Sequence, residues 1–507
     1  MIRKILVANR GEIAVRVMRT CREMGIPTVA VFSDADRRAL HTSYATEAYH
    51  IGPAPSAQSY LSIPKIIEVA KKSGADAVHP GYGFLSERAA FARACQEAGI
   101  TFIGPDPEAI EAMGEKTQAR RTVMAAGVPV VPGTERPLTS LAEAHEVAKK
   151  IGFPLMLKAA AGGGGKGMRI VHKDSELEPA FDTARREATA AFGDNSVYLE
   201  KYIEEPRHIE IQIFGDRHGR VIHLNERECS IQRRHQKVIE ESPSPIMDED
   251  LRRRMGEVAV KAGEAVKYVG AGTCEFLVDK HKNFYFLEMN TRLQVEHPVT
   301  ELTTGYDLVR EQIRVASGLP LEIQPMKPHG HAIEARIYAE DPEQGFRPAP
   351  GLLSFIRSPG GYGVRVDSGV YAGFEVTPHY DPLLAKLAVW APDRERAIAR
   401  MDRALSEYVV NGVTTNITFL RRIMQHAAFK EGRTDTGFID RHLGGGKRPP
   451  PEEQFVQVAM IASAIRQYEY QRELADRIVT GMGPDKGPSK WRLLGRAQTF
   501  RARMGAE

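Results

Sequence analysis

Glu288-Met289-Asn290-Thr291-Arg292-Leu293-Gln294-Val295-Glu296-His297-Pro298 is the stretch on which the reading of this 507-residue chain turns. It follows Asn283-Phe284-Tyr285-Phe286-Leu287, an apolar and aromatic run that predicts a buried strand. Glu288 and Asn290 end that strand at alternate positions and so share a face. Arg292, Gln294 and Glu296 alternate in turn and are expected to share a face too. Upstream, Thr273-Cys274-Glu275-Phe276-Leu277-Val278 predicts a partner strand joined through a polar turn, which would set Glu275 close to Glu288. Two carboxylates and an amide oxygen make a hard, oxygen-rich site of the kind magnesium takes alongside nucleotide phosphates. An arginine, an amide and a third carboxylate nearby can hold and activate a small anion. A lone E-x-N is more often a strand with solvated polar ends; five polar groups on two neighbouring strands favour the site.

Working outward, 507 residues are too many for one core, and three or four domains are expected. Hydrophobic residues at 42% and charged residues at 26% are ordinary for a soluble globular protein, and a net charge of +4 argues for neither nucleic acid nor membrane. Cys21, Cys95, Cys229 and Cys274 are far apart with no C-x-x-C pair, which suits a reducing compartment and excludes a disulfide scaffold or structural zinc. The chain enters a strand at Ile5 with no signal segment, and no apolar run approaches the roughly 18 residues of a membrane span. The expected location is cytoplasmic.

Residues 1–114 alternate strand and helix: strands at Ile5–Ala8, Thr28–Phe32, Ala75–His79 and Ile100–Ile103, and helices through Ile13–Cys21, Ile63–Ala70 and Ala89–Ala98. This is a βαβ pattern with a parallel sheet. Asn9-Arg10-Gly11-Glu12 fills the first βα turn where a dinucleotide fold carries G-x-G-x-x-G, so Asp34 is no sign of NAD. Tyr82 lies in the Pro80–Phe84 loop after a strand, where ligands commonly bind.

Residues 115–203 read as a small inserted domain. Lys116 opens a helix, and Leu155-Met156-Leu157-Lys158 and Met168-Arg169-Ile170-Val171 are strands flanking Gly162-Gly163-Gly164-Gly165-Lys166-Gly167. Ala160 and Gly167 rule out a Walker A loop, but a glycine run between strands can fold its N–H groups over phosphates. Lys116 and Lys158 are the candidate phosphate cations. Val197–Ile203 is a strand and hinge, where an adenine can bond to backbone groups beside Glu200 and Lys201. In residues 204–330, His208–Ile213 and Val221–Leu224 alternate strictly. The basic run Cys229–Lys237 has no aromatic interleaving, which favours a buried anion-binding loop over a nucleic-acid patch. Residues 331–446 read as α+β, with a strand at Ala332–Ile337 and a helix from Arg394 to Tyr408. A Gly/Pro linker opens the tail, 447–507, in which Val458, Ile461, Ala462, Ile465 and Tyr468 keep helical spacing.

These residues, taken together, resemble the biotin carboxylase family of the ATP-grasp superfamily. The likeness runs from Lys4 to about Leu443 and is carried by Ala8–Ala14, His79–Glu87, Gln232–Lys237 and Glu288–Val299. It implies an α/β protein: a Rossmann-like N-terminal domain (1–114), an ATP-grasp lid (115–203) and catalytic half (204–330), a C-terminal α+β domain (331–446) and the tail. By position it implies ATP contacts at Lys116, Lys158, Gly163, Gly164, Gly165, Glu200, Lys201, Ile203, His208, Gln232, His235 and Leu277. Metal ligands, for Mg2+ or Mn2+, fall on Glu275, Glu288 and Asn290. The bicarbonate pocket falls on Lys237, Arg292, Gln294 and Val295, with Glu296 as general base. Biotin contacts fall on Tyr82 and Arg336, and a homodimer interface on Arg19, Glu23 and Arg365. Ala159-Ala160-Ala161 and Lys166 look more like the subunits of propionyl- and methylcrotonyl-type carboxylases than like single-domain acetyl-CoA carboxylase subunits.

The activity this implies is carboxylation of biotin on a separate carrier protein, with ATP activating bicarbonate as carboxyphosphate. It is the first half-reaction of an acyl-CoA carboxylase of the acetyl- or propionyl-CoA type, as used in fatty acid biosynthesis. Partners would be the biotin carboxyl carrier protein and carboxyltransferase subunits; the chain itself has no Ala-Met-Lys-Met acceptor motif. Two rivals are another ATP-grasp carboxylate–amine ligase and a non-catalytic regulatory subunit. The crowding of Arg292, Gln294 and Glu296 suits a very small acid and weighs against the first. The presence of every metal and base position weighs against the second.

Overall fold

In a computed structural model, the structure describes residues 1–134, 136–159, 168–192, 196–234, 236–446 and 453–479. The chain divides into two units, Met1–Lys447 and Arg448–Glu507.

The first unit opens on five short parallel strands: β1 (Ile5–Val7), β2 (Thr28–Ser33), β3 (Glu47–Gly52), β4 (Ala77–His79) and β5 (Thr101–Phe102), in the order β3-β2-β1-β4-β5. This is the doubly wound arrangement, with ligand sites expected at the strands' carboxyl ends. Leu6, Val29, Val31 and Val78 pack under the helices Ile63–Ser73 and Ala89–Glu97. On the other face Ile5, Val7 and Ala30 meet the helix Gly11–Glu23, which in turn packs against the helix Leu308–Ala316. β3 is an addition to the strands expected from sequence. It is an edge strand with mixed exposure, and Glu47-Ala48-Tyr49-His50 lacks the apolar run that marks an interior strand.

A three-stranded antiparallel sheet follows, with β6 (Leu155–Ala159) between β7 (Met168–Val171) and β8 (Val197–Lys201). Leu155, Leu157, Val197 and Leu199 pack on the helices Leu141–Ile151 and Leu177–Phe192. The glycine run 162–167, with Gly163, Gly164 and Gly165, lies outside the described residues, as do His235 and the side chain of Lys116.

The centre of the unit is one eight-stranded sheet. It contains β9 (Arg207–Gly215), β10 (Val221–Arg233), β11 (Gln236–Ser242), β12 (Gly270–Val278), β13 (Phe284–Asn290) and β14 (His331–Tyr338), with two later strands, Val364–Ser368 and Leu383–Ala391. Its order is β13-β12-β9-β10-β11-β14, then Leu383–Ala391, then Val364–Ser368. Because β11 bonds to β14, the sheet passes without a break into the C-terminal region.

The two faces of this sheet have different chemistry. On one, Ile209, Ile211, Ile213, Cys274 and Phe276 pack against Leu251, Met255, Ala259 and Ala262 of the helix Glu249–Ala265. On the other stand His208, Glu210, Gln212, Arg227 and Glu275, and they are buried too, with Arg227 bonded to Thr300 of the helix His297–Thr304. Strict alternation usually marks a strand with one wet face. Here it marks one apolar face and one buried polar face.

Among the described residues no helix is long and apolar enough to cross a membrane. The four cysteines are free and buried. In the second unit the described residues form the helix Glu453–Val479, with Val458, Met460, Ile461, Ile465 and Tyr468 exposed.

Candidate active site

The β12–β13 hairpin has the register its sequence implies. Thr273 pairs with Asn290 and Glu275 with Glu288. Glu275 is the hub of this end of the sheet. Its Oε1 accepts from Asn290 Nδ2 (2.9 Å), Lys237 Nζ (2.8 Å) and Gln294 Nε2 (3.3 Å), and its Oε2 lies 2.7 Å from His208 Nε2. Burial resists ionisation of Glu275, but Lys237 and His208 outweigh it and hold the carboxyl far below its usual range. The same contact outweighs burial at His208 and raises its pKa. His208, Glu210 and Glu275 bring ligand atoms together, as do Glu210, Cys229 and Glu296. The Lys237 ammonium already fills the first group, 2.5 Å from Glu210 and 2.8 Å from Glu275.

Beyond Asn290 the strand ends, so Arg292, Gln294 and Glu296 do not share the single face expected from their alternation. Arg292 reaches Glu87 Oε2 through Nε (2.9 Å), Asn290 Oδ1 through Nη2 (3.2 Å) and Gln294 Oε1 through Nη1 (3.0 Å). Glu296, in the turn before the helix, meets two cations instead. Lys237 Nζ donates to its Oε1 at 2.6 Å and Arg336 Nη2 to its Oε2 at 2.9 Å. The carboxylate is fully buried; that opposes its charge, yet Lys237, Arg336 and Arg227 hold its pKa well below the ordinary range. Lys237 is likewise kept charged against burial by Glu210, Glu275 and Glu296.

Arg336 also donates through Nε to Glu240 Oε1 (2.6 Å). Glu240 is pushed up to about 7, chiefly by burial, with Arg336 opposing and Glu296 adding to the rise. Below this row lies Arg227, 0% exposed, bonded to Glu210, Gln212, Thr273 and Thr300. Where a buried loop is expected over Cys229–Lys237, the described residues are mostly strand, Cys229–Arg233 closing β10 and Gln236 and Lys237 opening β11. Gln232 and Lys237 are directly paired across the antiparallel strands β10 and β11.

In the three-stranded sheet, Lys158 Nζ on β6 is bonded to Glu200 on β8. The Lys201 ammonium is tied to the carbonyls of Gly152 (2.9 Å) and Phe153 (2.8 Å), and its backbone N–H donates to Pro132 O (2.8 Å). Ile203 and Gln232 are buried, and Leu277 is half-buried. Tyr82 sits across the site, its hydroxyl donating to Glu12 and its carbonyl accepting from Asn9 Nδ2 at 2.7 Å. Burial and Glu12 raise its pKa well above the usual phenol value. Arg19 and Glu23 are exposed on the helix Gly11–Glu23, whereas Arg365 is turned inward to Glu301 (2.7 Å) and Asp367 (2.8 Å).

Glu87, Glu210, Arg227, Glu240, Glu12 and Lys386 complete the arrangement and were not assigned from sequence. Two signals were available. Glu210 alternates with His208, and Lys386 is a lone cation in the apolar run Leu383–Ala391.

Three family models match the chain. They are described as biotin carboxylase N-terminal domain (residues 1–110), carbamoyl-phosphate synthase L chain ATP-binding domain (115–324) and biotin carboxylase C-terminal domain (334–441). The chain is 56% identical over 438 residues to the biotin carboxylase of a Nostoc species, covering 86% of this chain and 98% of that one. It is 50% identical over 480 residues to the methylcrotonoyl-CoA carboxylase subunit alpha of Dictyostelium discoideum, covering 94% and 69%. Among solved structures it superposes with a TM-score of 0.81, at 48% identity, on the biotin carboxylase domain dimer of Hydrogenobacter thermophilus 2-oxoglutarate carboxylase. That structure holds MgADP, ADP and bicarbonate; the match covers 89% of this chain and all of the other.

Proposed function

We propose a division of labour among these buried charges from one premise: the chain belongs to the biotin carboxylase family, within the ATP-grasp superfamily. It is an ATP-dependent ligase that carboxylates biotin with bicarbonate. The observation that carries the assignment of roles is the pair of cations on Glu296, Lys237 at one oxygen and Arg336 at the other. One carboxylate thus touches both a bicarbonate-side and a biotin-side cation.

ATP lies between lid and sheet, its adenine on the Glu200–Ile203 hinge with Ile203 and Leu277 against the ring. By resemblance, His208, Gln232 and His235 are assigned to ATP, and Lys116, Lys158 and the glycine run to its phosphates. Glu275, Glu288 and Asn290 offer the hard oxygen set that suits Mg2+ and would hold it. When bound, the metal supplies neutralising charge at the phosphates, most of what phosphoryl transfer asks of a protein.

Arg292, Gln294, Lys237 and the Val295 backbone bind bicarbonate. An anion there draws Lys237 partly away from Glu296, which weakens the field that depresses its pKa and makes it a stronger base. Glu296 takes the bicarbonate proton as the oxygen attacks the γ-phosphorus, giving carboxyphosphate and ADP. Carboxyphosphate yields carbon dioxide and phosphate. The phosphate then removes the biotin N1 proton while Arg336 stabilises the oxygen of the resulting enolate-like ring, with Tyr82 at the edge of the pocket.

Biotin arrives on a separate carrier, and the acyl acceptor is chosen by a separate carboxyltransferase. The Dictyostelium match covers 94% of the chain, and the tail after 446 is about 12% of it, so that match extends into the tail. This supports an acyl-CoA carboxylase subunit whose helix Glu453–Val479 docks on a partner chain through its apolar residues. Arg19, Glu23 and Arg365 belong to the contact between two copies, and the four buried thiols suit the cytoplasm.

The test is Glu296→Gln. Bicarbonate-dependent ATP cleavage should fall by about 10²–10⁴, the usual worth of a general base, while nucleotide affinity stays within a few-fold. Near-normal turnover would remove Glu296 from that role.

A further inference from the structure

Lys386 is the one strongly polar residue of the strand Leu383–Ala391, and its side chain is 0% exposed. It faces three acceptors from three parts of the fold. Nζ donates to the backbone carbonyl of Val295 at 2.7 Å. It lies 3.5 Å from Glu12 Oε2, on the first helix of the N-terminal sheet, and 3.9 Å from Asp367 Oδ2 on the neighbouring strand. Lys386 is also directly opposite Arg336 in the sheet. Like charges facing each other across strands are unfavourable, and an apolar side chain of similar volume would pack this core without that repulsion.

What the ammonium does that an apolar group cannot is hold the carbonyl one residue before Glu296. Gln294, Val295 and Glu296 lie in an irregular segment between β13 and the helix His297–Thr304, with no ladder bonds of their own. The segment is fixed from one side by His297, whose N and Nδ1 meet Gln294 O at 3.4 and 2.8 Å. It is fixed from the other by Lys386. The far side of the ammonium continues to the biotin pocket, because Glu12 binds Lys386 through one oxygen and accepts from the Tyr82 hydroxyl through the other. Asn9 Nδ2 secures the same loop at the carbonyls of Pro80 and Tyr82, both at 2.7 Å.

We infer that Lys386 is a positioning residue for this reaction: with Glu12 it sets the segment Gln294–Glu296 and joins it to the loop that carries Tyr82. It touches neither substrate. Its effect is exerted through the placement of Glu296 and Tyr82, and the inference rests on the roles proposed for those two residues above. A displacement of about 1 Å at a reacting group is enough to lower a rate on the order of 10²-fold.

The test pairs Lys386→Met, which keeps the length and removes the charge, with Glu12→Gln, which weakens the same link from the other end and is nearly isosteric. Hydrogen exchange of the peptide spanning 291–299 reads the segment directly, whatever Glu296 does. It should quicken in Lys386→Met while exchange in the hinge 197–203 stays as in the parent. Bicarbonate-dependent ATP cleavage should fall about 10–100-fold with the KM for ATP within about twofold, and the double variant should be no worse than Lys386→Met, since both act on one link. Glu12→Gln should spare ATP cleavage more than biotin carboxylation. Unchanged exchange at 291–299 overturns the inference. So does a uniform loss of ATP affinity, exchange protection and melting temperature, which is what a merely structural lysine would give. Should Lys386→Met not fold, a Glu12→Gln enzyme with parental biotin kinetics overturns it alone. Failure of the general-base assignment is separately visible, as Glu296→Gln turning over normally while exchange at 291–299 still responds to Lys386.

Discussion

Replacing Arg336 by alanine should separate the two halves of the reaction. Arg336 is buried between Glu240 (2.6 Å) and Glu296 (2.9 Å), and it is the only one of the assigned cations given to biotin. Losing one donor to a developing oxyanion typically lowers a rate by about 10²–10³, equivalent to ~3–4 kcal/mol, and carboxylation of free biotin should fall by that amount. ATP cleavage has less to lose. Glu296 keeps Lys237 at 2.6 Å and still feels Arg227, so it remains ionised at neutral pH, and bicarbonate-dependent ATP cleavage should stay within about tenfold of the parent. Stability follows the same reasoning. Breaking a buried ion pair costs about 3–5 kcal/mol when the orphan keeps its charge. Glu240 already sits at about 7; without Arg336 it rises further and goes neutral, so the cost drops toward the ~1–3 kcal/mol of an unpaired neutral group. The assay is steady-state ADP release with and without bicarbonate, alongside carboxylation of free biotin, with denaturant titration as control. Equal losses in both activities would refute the reasoning, because Arg336 would then belong to the bicarbonate step.

Two further outcomes follow from the same structure. His41 and His79 are buried and neutral, pushed down to about 4 mainly by burial, so the unfolded chain binds more protons than the folded one between pH 6.5 and 4. Stability should fall as pH drops through that window, by up to about 1.4 kcal/mol per pH unit for each histidine, and His79→Asn should flatten the slope in urea titrations at pH 5 and 7. Deleting residues 447–507 should leave carboxylation of free biotin intact and abolish copurification with the other carboxylase subunits; an intact complex, or biotin found on this chain by mass spectrometry, would show the tail is not the docking element.

The hairpin of this candidate site was legible in the sequence because its polar residues are local. Glu275 and Glu288 pair across one short turn, and the apolar runs around them set the register. The partners of Glu296 were not legible in that way. Lys237 is 59 residues away and Arg336 is 40, on strands whose adjacency depends on the order of the whole sheet. Nor did alternation reveal that both faces of β9 are buried, since a polar face looks the same whether water or a carboxylate network covers it. The roles proposed for these residues rest on resemblance to a family and not on spacing. That resemblance assigned no role to Glu12, although Ala8–Ala14 carries part of the likeness, or to Lys386, a lone charge in an apolar run.

The buried row makes physical sense when its charges are counted. Glu210, Glu240, Glu275, Glu296 and Glu334 face Arg227, Lys237, Arg336 and Lys386, five carboxyls against four cations. Glu240 and Glu334 are directly opposite each other on β11 and β14, and burial drives both upward, Glu334 well above the usual range despite Lys386. Protonation of that pair lowers the negative charge that this buried seam must hold in a low dielectric. Bicarbonate is a poor guest for such a seam unless its own proton has somewhere to go. Transfer to Glu296 moves one negative charge from the carboxylate onto the substrate and leaves the sum unchanged. On the roles proposed above, Arg336 holds its place while Lys237 shifts between Glu296 and the bound anion as the charge moves. A preorganised cation such as Arg336 lowers the barrier because it need not turn at the moment of reaction.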